Sequence, residues 1–199
     1  MSVSDDKKLE LSCDHYKDTC HALLGFRRER NRLLVYLLLT SVAMLFQVYS
    51  TKDFWDLVSS LITTKLGSAA HVDTSFLTSV LWFIMLALWL RYTQSVAHME
   101  RQYVYLHSLE TELSVTFDGT SFAREGKAYL QGYPLLANWA WSLYNVALPI
   151  LLVSITVVQV IQEWRRSEQV NLQLGCDTLM FGAIVVTTLL FLHHLFAKN

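Results

Sequence analysis

The sequence predicts an all-α, polytopic membrane protein with four transmembrane helices and a cytoplasmic helical hairpin. Three observations carry that prediction. First, the apolar residues, 53% of 199, are not dispersed at helix or strand period as in a soluble domain. They are concentrated in four runs, at 33–48, 76–90, 139–161 and 179–196, each free of Asp, Glu, Lys and Arg. Their lengths straddle the roughly 17–25 residues that a spanning helix needs. Second, no Gly or Pro interrupts residues 76–113. A helix of roughly 38 residues is about 57 Å long, and a bilayer core takes up only about 30 Å of it. The remainder stands in water as a stalk. Third, Lys and Arg are distributed unevenly. With the N-terminus inside, the inner segments hold Lys7, Lys8, Lys17, Arg27, Arg28, Arg30, Arg32, Arg91, Arg101, Arg124, Lys127 and Lys198. The outer loops hold Lys52, Lys65, Arg165 and Arg166. The positive-inside rule then places both termini in the cytoplasm of a bacterial inner membrane. The polar, acidic N-terminus does not read as a signal peptide, so the first span is expected in the mature protein.

This divides the chain into an N-terminal cytoplasmic helix (1–32), spans 1 and 2 with an outer amphipathic helix (33–92), a cytoplasmic stalk and loop (93–134), and spans 3 and 4 (135–199). In the first segment, Ser4, Asp5 and Asp6 suit a helix start. Leu9, Cys13, Tyr16, Cys20 and Leu23 recur in steps of four and three, a short seam of coiled-coil type. That seam either rests on a neighbour within the chain or docks another protein. The basic cluster at 27–32 suits anionic headgroups and sets the topology. A nucleic-acid partner is not expected, because no aromatic interleaving or binding motif accompanies the cluster.

Between spans 1 and 2, Phe54, Trp55, Val58, Leu61, Ile62 and Leu66 fall at helical spacing. They predict a short amphipathic helix on the outer side, ended by Gly67 and Ser68. Beyond Arg91 the stalk carries Val96, Met99, Tyr103, Leu106 and Leu113 in the same steps of three and four, broken by Glu110. Tyr105 and Leu109 form a second edge. One helix enters the membrane and the other leaves it, so the two seams are expected to pack as an antiparallel hairpin. Residues 117–134 are glycine-punctuated, and Arg124, Lys127 and Tyr129 there are candidate partner or ligand contacts. Trp139 and Trp141 suit the membrane interface. Span 3 holds Asn145 and Pro149 as candidate gating residues: a proline removes a backbone donor and kinks a helix, and a buried amide needs a partner. A short polar outer segment at 162–177 follows, with Asp177 and Thr178 as the expected cap of span 4.

Catalytic signatures are not found. No Ser-His-Asp or Cys-His arrangement can be built, and GxxxxGK[ST] and GxGxxG do not occur. His107 and Glu110, spaced i,i+3, are one reversed Glu-x-x-His pair without a second copy, so a di-metal carboxylate site is not expected. They are kept as candidate partner contacts. Adjacent His193 and His194 diverge by about 100° on a helix and cannot share one ion. Cys13, Cys20 and Cys176 form no zinc or disulfide framework. No catalytic, cofactor or metal residue is assigned, and intramembrane carboxylates are not expected.

A small four-span protein with a helical cytoplasmic part resembles, in plan, the membrane components of bacterial anti-phage defence systems, such as the membrane subunit of Kiwa or the membrane effectors of some retrons. The resemblance carries over no individual residues. It implies a protein that senses or perturbs the inner membrane together with a cytoplasmic partner. The expected function is therefore a non-enzymatic sensor or effector, embedded in the lipid bilayer and homo-oligomeric. The alternative is a channel or transport-accessory subunit, in which Asn145, Gln159 and Gln47 line an aqueous path.

Overall fold

The computed structural model describes residues 5–66, 74–116, 139, 142–167 and 171–197. It is 97% helical, with no strand among the described residues. The order is α1 (Asp5–Tyr49), α2 (Thr51–Leu66), α3 (Thr74–Thr116), a π-helical turn (Leu143–Ala147), α4 (Leu148–Arg166) and α5 (Leu172–Phe196). α1 and α3 have 45 and 43 residues. Four stretches are long and apolar enough to cross a membrane, within α1, within α3, from the π turn through α4, and in α5. The candidate contacts Arg124, Lys127 and Tyr129 lie outside the described residues, as do Ser4, Gly67, Ser68 and Trp141.

The chain forms two units. One, the span unit, comprises residues 33–91 and 142–199. Its core is Leu37, Met44, Trp82, Met85, Trp89, Leu152, Ile155, Ile184 and Phe191. Edge-to-face ring pairs join α3 to α5, with Trp89 against Phe191 at 5.7 Å and Trp82 against Phe181 at 6.3 Å. At most 39% of any spanning window is buried. The outward faces are apolar: Leu39, Val42, Phe83, Ile150, Leu179, Val186 and Leu189 are all exposed. Such patches are far beyond what a soluble monomer tolerates, and they suit a lipid solvent. Helices suit that solvent because every mid-span backbone group finds its partner within its own segment. The buried hydroxyls follow the same logic. Ser41, Thr156 and Thr188 donate to the carbonyls of Leu37, Leu152 and Ile184 at 2.7, 3.0 and 2.8 Å. A hydroxyl that bonds back one turn adds no unmet donor.

The other unit, the hairpin unit, comprises residues 1–32 and 92–141. Tyr16 Oη donates to Glu110 Oε1 at 3.3 Å. Arg27 Nε donates to Tyr103 Oη at 3.0 Å, and its Nη2 donates to the same oxygen. The Phe26 ring stacks on His98, 6.2 Å between centroids. As numbers rise along α1 they fall along α3, which makes the pairing antiparallel. Thr19, Leu23, Met99, Leu106, Leu109 and Glu110 are buried between them. The expected second edge of Tyr105 with Leu109 does not hold. Leu109 turns inward beside Leu106, whereas Tyr105 stays 45% exposed.

One expectation for span 3 takes a specific form, and one for span 4 is corrected. The first concerns Pro149, whose distortion is a π turn at 143–147, closed by the Leu148 N–H on the Leu143 carbonyl. A proline ring collides with the carbonyl four residues back, here that of Asn145, and one wide turn takes up the conflict. The second concerns the cap of span 4, expected at Asp177 and Thr178 in the short polar segment at 162–177. α4 runs to Arg166 and α5 begins at Leu172. The cap of α5 is Asn171, whose side chain accepts the Leu174 N–H at 2.8 Å. Asp177 lies inside the helix, 2% exposed.

Candidate functional site

Within the span unit, the end of α1, the start of α3, the end of α4 and the start of α5 enclose a polar cleft of about 370 Å³. Gln47 and Thr51 enter from the α1 side, with Trp55 of α2. α3 gives Thr74, Ser75 and Thr78, α4 gives Gln159, Glu163 and Arg166, and α5 gives Gln173, Leu174 and Asp177. The position follows from chain connectivity: α1 leads into α2, and α4 joins α5 through five residues, so their ends must meet.

Hydrogen bonds tie the lining residues to one another. Thr78 Oγ1 donates its one hydrogen to the Thr74 carbonyl at 2.9 Å. It can therefore only accept from Gln47, and the Gln47 Nε2 donates to it at 2.7 Å. Glu163 Oε1 accepts from Gln159 Nε2 at 2.6 Å and from the indole Nε1 of Trp82 at 2.9 Å. Its Oε2 lies 3.2 Å from the same indole nitrogen. A carboxylate only accepts, so Gln159 must present its NH2 group. Both amide orientations are thus set by chemistry, and both leave a carbonyl oxygen over. Among the described residues Gln47 Oε1 and Gln159 Oε1 are buried without a hydrogen-bond partner. Gln47, Gln159 and Asp177 are each only 2–3% exposed. Ser79 and Gln173 lie against the Asp177 carboxyl. Gln173 Nε2 also donates to the Ser75 carbonyl. Asp177 and Arg166 are both within electrostatic reach of Glu163. The exposed Arg166 guanidinium donates to Gln162 Oε1 at 2.8 Å.

The charge-free runs themselves hold no carboxylate, but the helices that contain them extend further. Glu163 and Asp177 sit on the spanning helices α4 and α5. Both lie outside the charge-free runs at 139–161 and 179–196, which is why the runs missed them. The i,i+4 spacing of Gln159 and Glu163 continues one face of α4 and was the available signal. Of the three residues expected to line a path, Gln47 and Gln159 line the cleft, whereas half-buried Asn145 does not. Pro149 is buried and also lies away from it. In the hairpin unit His107 is exposed, and Glu110 is 4% exposed and held by Tyr16.

Fold and cleft together define an all-α protein with four span-like helices and an acceptor-rich polar cleft in its span unit. Comparison with protein-family models, curated proteins and solved structures finds no match.

Proposed function

We propose that the chain is a non-enzymatic, multi-pass sensor or effector of a bacterial inner membrane, acting as an oligomer with a cytoplasmic protein partner. Anti-phage defence is the setting that its plan resembles. The observation that carries this reading is that α1 and α3 serve both units. α1 bears Arg27 of the hairpin and Gln47 of the cleft, and α3 bears Glu110 of the hairpin and Thr78 of the cleft. A partner that engages the hairpin acts on the same two helices that line the cleft. The Lys and Arg distribution supports a cytoplasmic hairpin. Exposed His107 and the loop residues Arg124, Lys127 and Tyr129 are the proposed partner contacts.

Inducing the gene alone in a bacterial cell, with membrane potential followed by a fluorescent dye, tests the effector arm. The expected result is depolarisation, weakened when Ser95, buried on α3, is replaced by Gly-Gly. Full activity in that variant rules out transmission along α3. An unchanged potential removes the effector arm and leaves the sensor.

A channel or transport-accessory subunit is the second reading, favoured by the convergence of Gln47 and Gln159 on one cleft. In a background lacking Cys13, Cys20 and Cys176, cysteines at 47 and 159 should react with water-soluble thiol reagents. Failure of both to label excludes an aqueous path there.

A further inference from the structure

We infer that the groove between α4 and α5 binds an anionic phospholipid, with the phosphate on Arg165 and an acyl chain along the groove. The inference goes beyond both readings of function and rests only on these helices lying in lipid. Each is long and apolar enough to span a membrane. Between them runs a groove of about 410 Å³, lined by Val160, Ile161, Trp164 and Arg165 of α4 and by Thr178 and Phe181 of α5. Steps of three and four put each set on one face of its helix. The groove shares no lining residue with the polar cleft.

The polar side chains of the groove are spent, apart from one. Trp164 Nε1 donates to Thr178 Oγ1 at 3.1 Å, and that hydroxyl donates to the Leu174 carbonyl at 2.7 Å. Neither side chain has a donor left. Arg165 is exposed and makes no hydrogen bond or ion pair among the described residues. Its neighbour Arg166 lines the cleft instead and donates to Gln162. Successive residues diverge by about 100° on a helix, so the two arginines divide between groove and cleft. A basic residue in the last turn also complements the helix dipole. That accounts for a positive charge at this end of α4, not for its seat beside an apolar groove.

Charge and polarity select the occupant. Glu163 and Asp177 line the cleft, so the charge among the groove's lining residues is positive. The complementary ligand is amphipathic, a hydrocarbon chain with an anionic head rich in acceptors. A guanidinium matches a phosphate bidentately. Its long stem covers apolar surface while the head reaches the membrane interface. A phospholipid supplies both parts. A head with net negative charge is preferred, because the ammonium of a choline head offsets the attraction of its own phosphate. Free phosphate would meet the same guanidinium but leave the groove unfilled. The groove's volume falls in the range of small-molecule sites, about 300–1,000 Å³.

The test uses the full chain in detergent micelles, titrated with phosphatidylglycerol, with phosphatidylcholine of the same acyl chains, and with inorganic phosphate. The unfolding midpoint is read together with the lipids retained in native mass spectrometry. The expected result is a saturable rise in midpoint at about tenfold lower concentration of phosphatidylglycerol than of phosphatidylcholine, and no rise with phosphate. Arg165→Gln should abolish that preference. Lys52→Gln removes an exposed positive charge outside the groove and should keep it. Ile161, 45% exposed, borders the groove, so Ile161→Trp should fill it and weaken retention of both lipids about tenfold. If that variant fails to fold, dihexanoyl phosphatidylglycerol, which keeps the head and shortens the chains, serves instead and should bind more weakly by a similar factor. Equal midpoints with the two lipids overturn the inference. So does a preference unchanged in Arg165→Gln or lost equally in Lys52→Gln. A rise with phosphate alone overturns it as well, as does retention indifferent to Ile161→Trp or to chain length.

Discussion

Replacing Glu163 by Ala tests the hydrogen-bonded wall of the cleft most directly. The carboxylate accepts from Trp82 Nε1 at 2.9 Å and from Gln159 Nε2 at 2.6 Å. Trp82 is 0% exposed, so its N–H would be left wholly unmet. A buried donor stripped of its acceptor costs about 1–3 kcal/mol. Gln159 borders the cleft, where water can replace part of the lost bond. The expected loss for Glu163→Ala is therefore about 2–4 kcal/mol, below the sum for two fully stranded donors. Glu163→Gln keeps one acceptor oxygen for Trp82 and should lose less than half as much. Reversible unfolding in mixed micelles measures both. A double-mutant cycle with Gln159→Leu then isolates the pair. Residues in one network couple by about 0.5–3 kcal/mol, so the two losses should not add. Losses for Glu163→Ala and Glu163→Gln that agree within error would mean that the bonds to Trp82 and Gln159 contribute nothing, and the reasoning would fail.

Three further predictions concern the helices. Tyr16→Phe removes a donor to buried Glu110, and it should destabilise the hairpin by about 1–2 kcal/mol in chemical unfolding; a neutral result would show that the 3.3 Å bond is not made in solution. Gly25→Ala should stabilise α1 by about 0.5–1 kcal/mol, because a methyl group there meets nothing within 4 Å and alanine is the better helix former. A loss instead of a gain would indicate that another chain approaches α1 at this point. Pro149→Ala restores an amide and lifts the clash with the Asn145 carbonyl, so the π turn at Leu143–Ala147 should close to α-helix and its amides exchange more slowly with deuterium. Unchanged exchange across 143–149 would show that something other than proline holds the wide turn.

The sequence by itself determined the helices and the span-like runs, because both are properties of the local chain. Unbroken helical sequence at 76–113 and apolar runs of bilayer length need no knowledge of neighbours. The hairpin was also legible, since two seams at steps of three and four on oppositely directed helices have little choice of partner. Helix ends were less legible. Asn171 and Asp177 are both good caps, and only the position of the turn, set by the packing of α4 on α5, chooses between them.

Apart from Gln47 and Gln159, expected on one path, the cleft was decided by the tertiary structure. Gln47, Gln159, Glu163 and Asp177 come from three helices. In sequence, Glu163 and Asp177 read as polar residues beyond the ends of apolar runs. What ties them together is that Trp82 and Thr78 of a fourth segment bond Glu163 and Gln47. Satisfaction of a polar atom depends on what lies within about 3 Å of it in space, and no pattern along one strand of sequence encodes that distance.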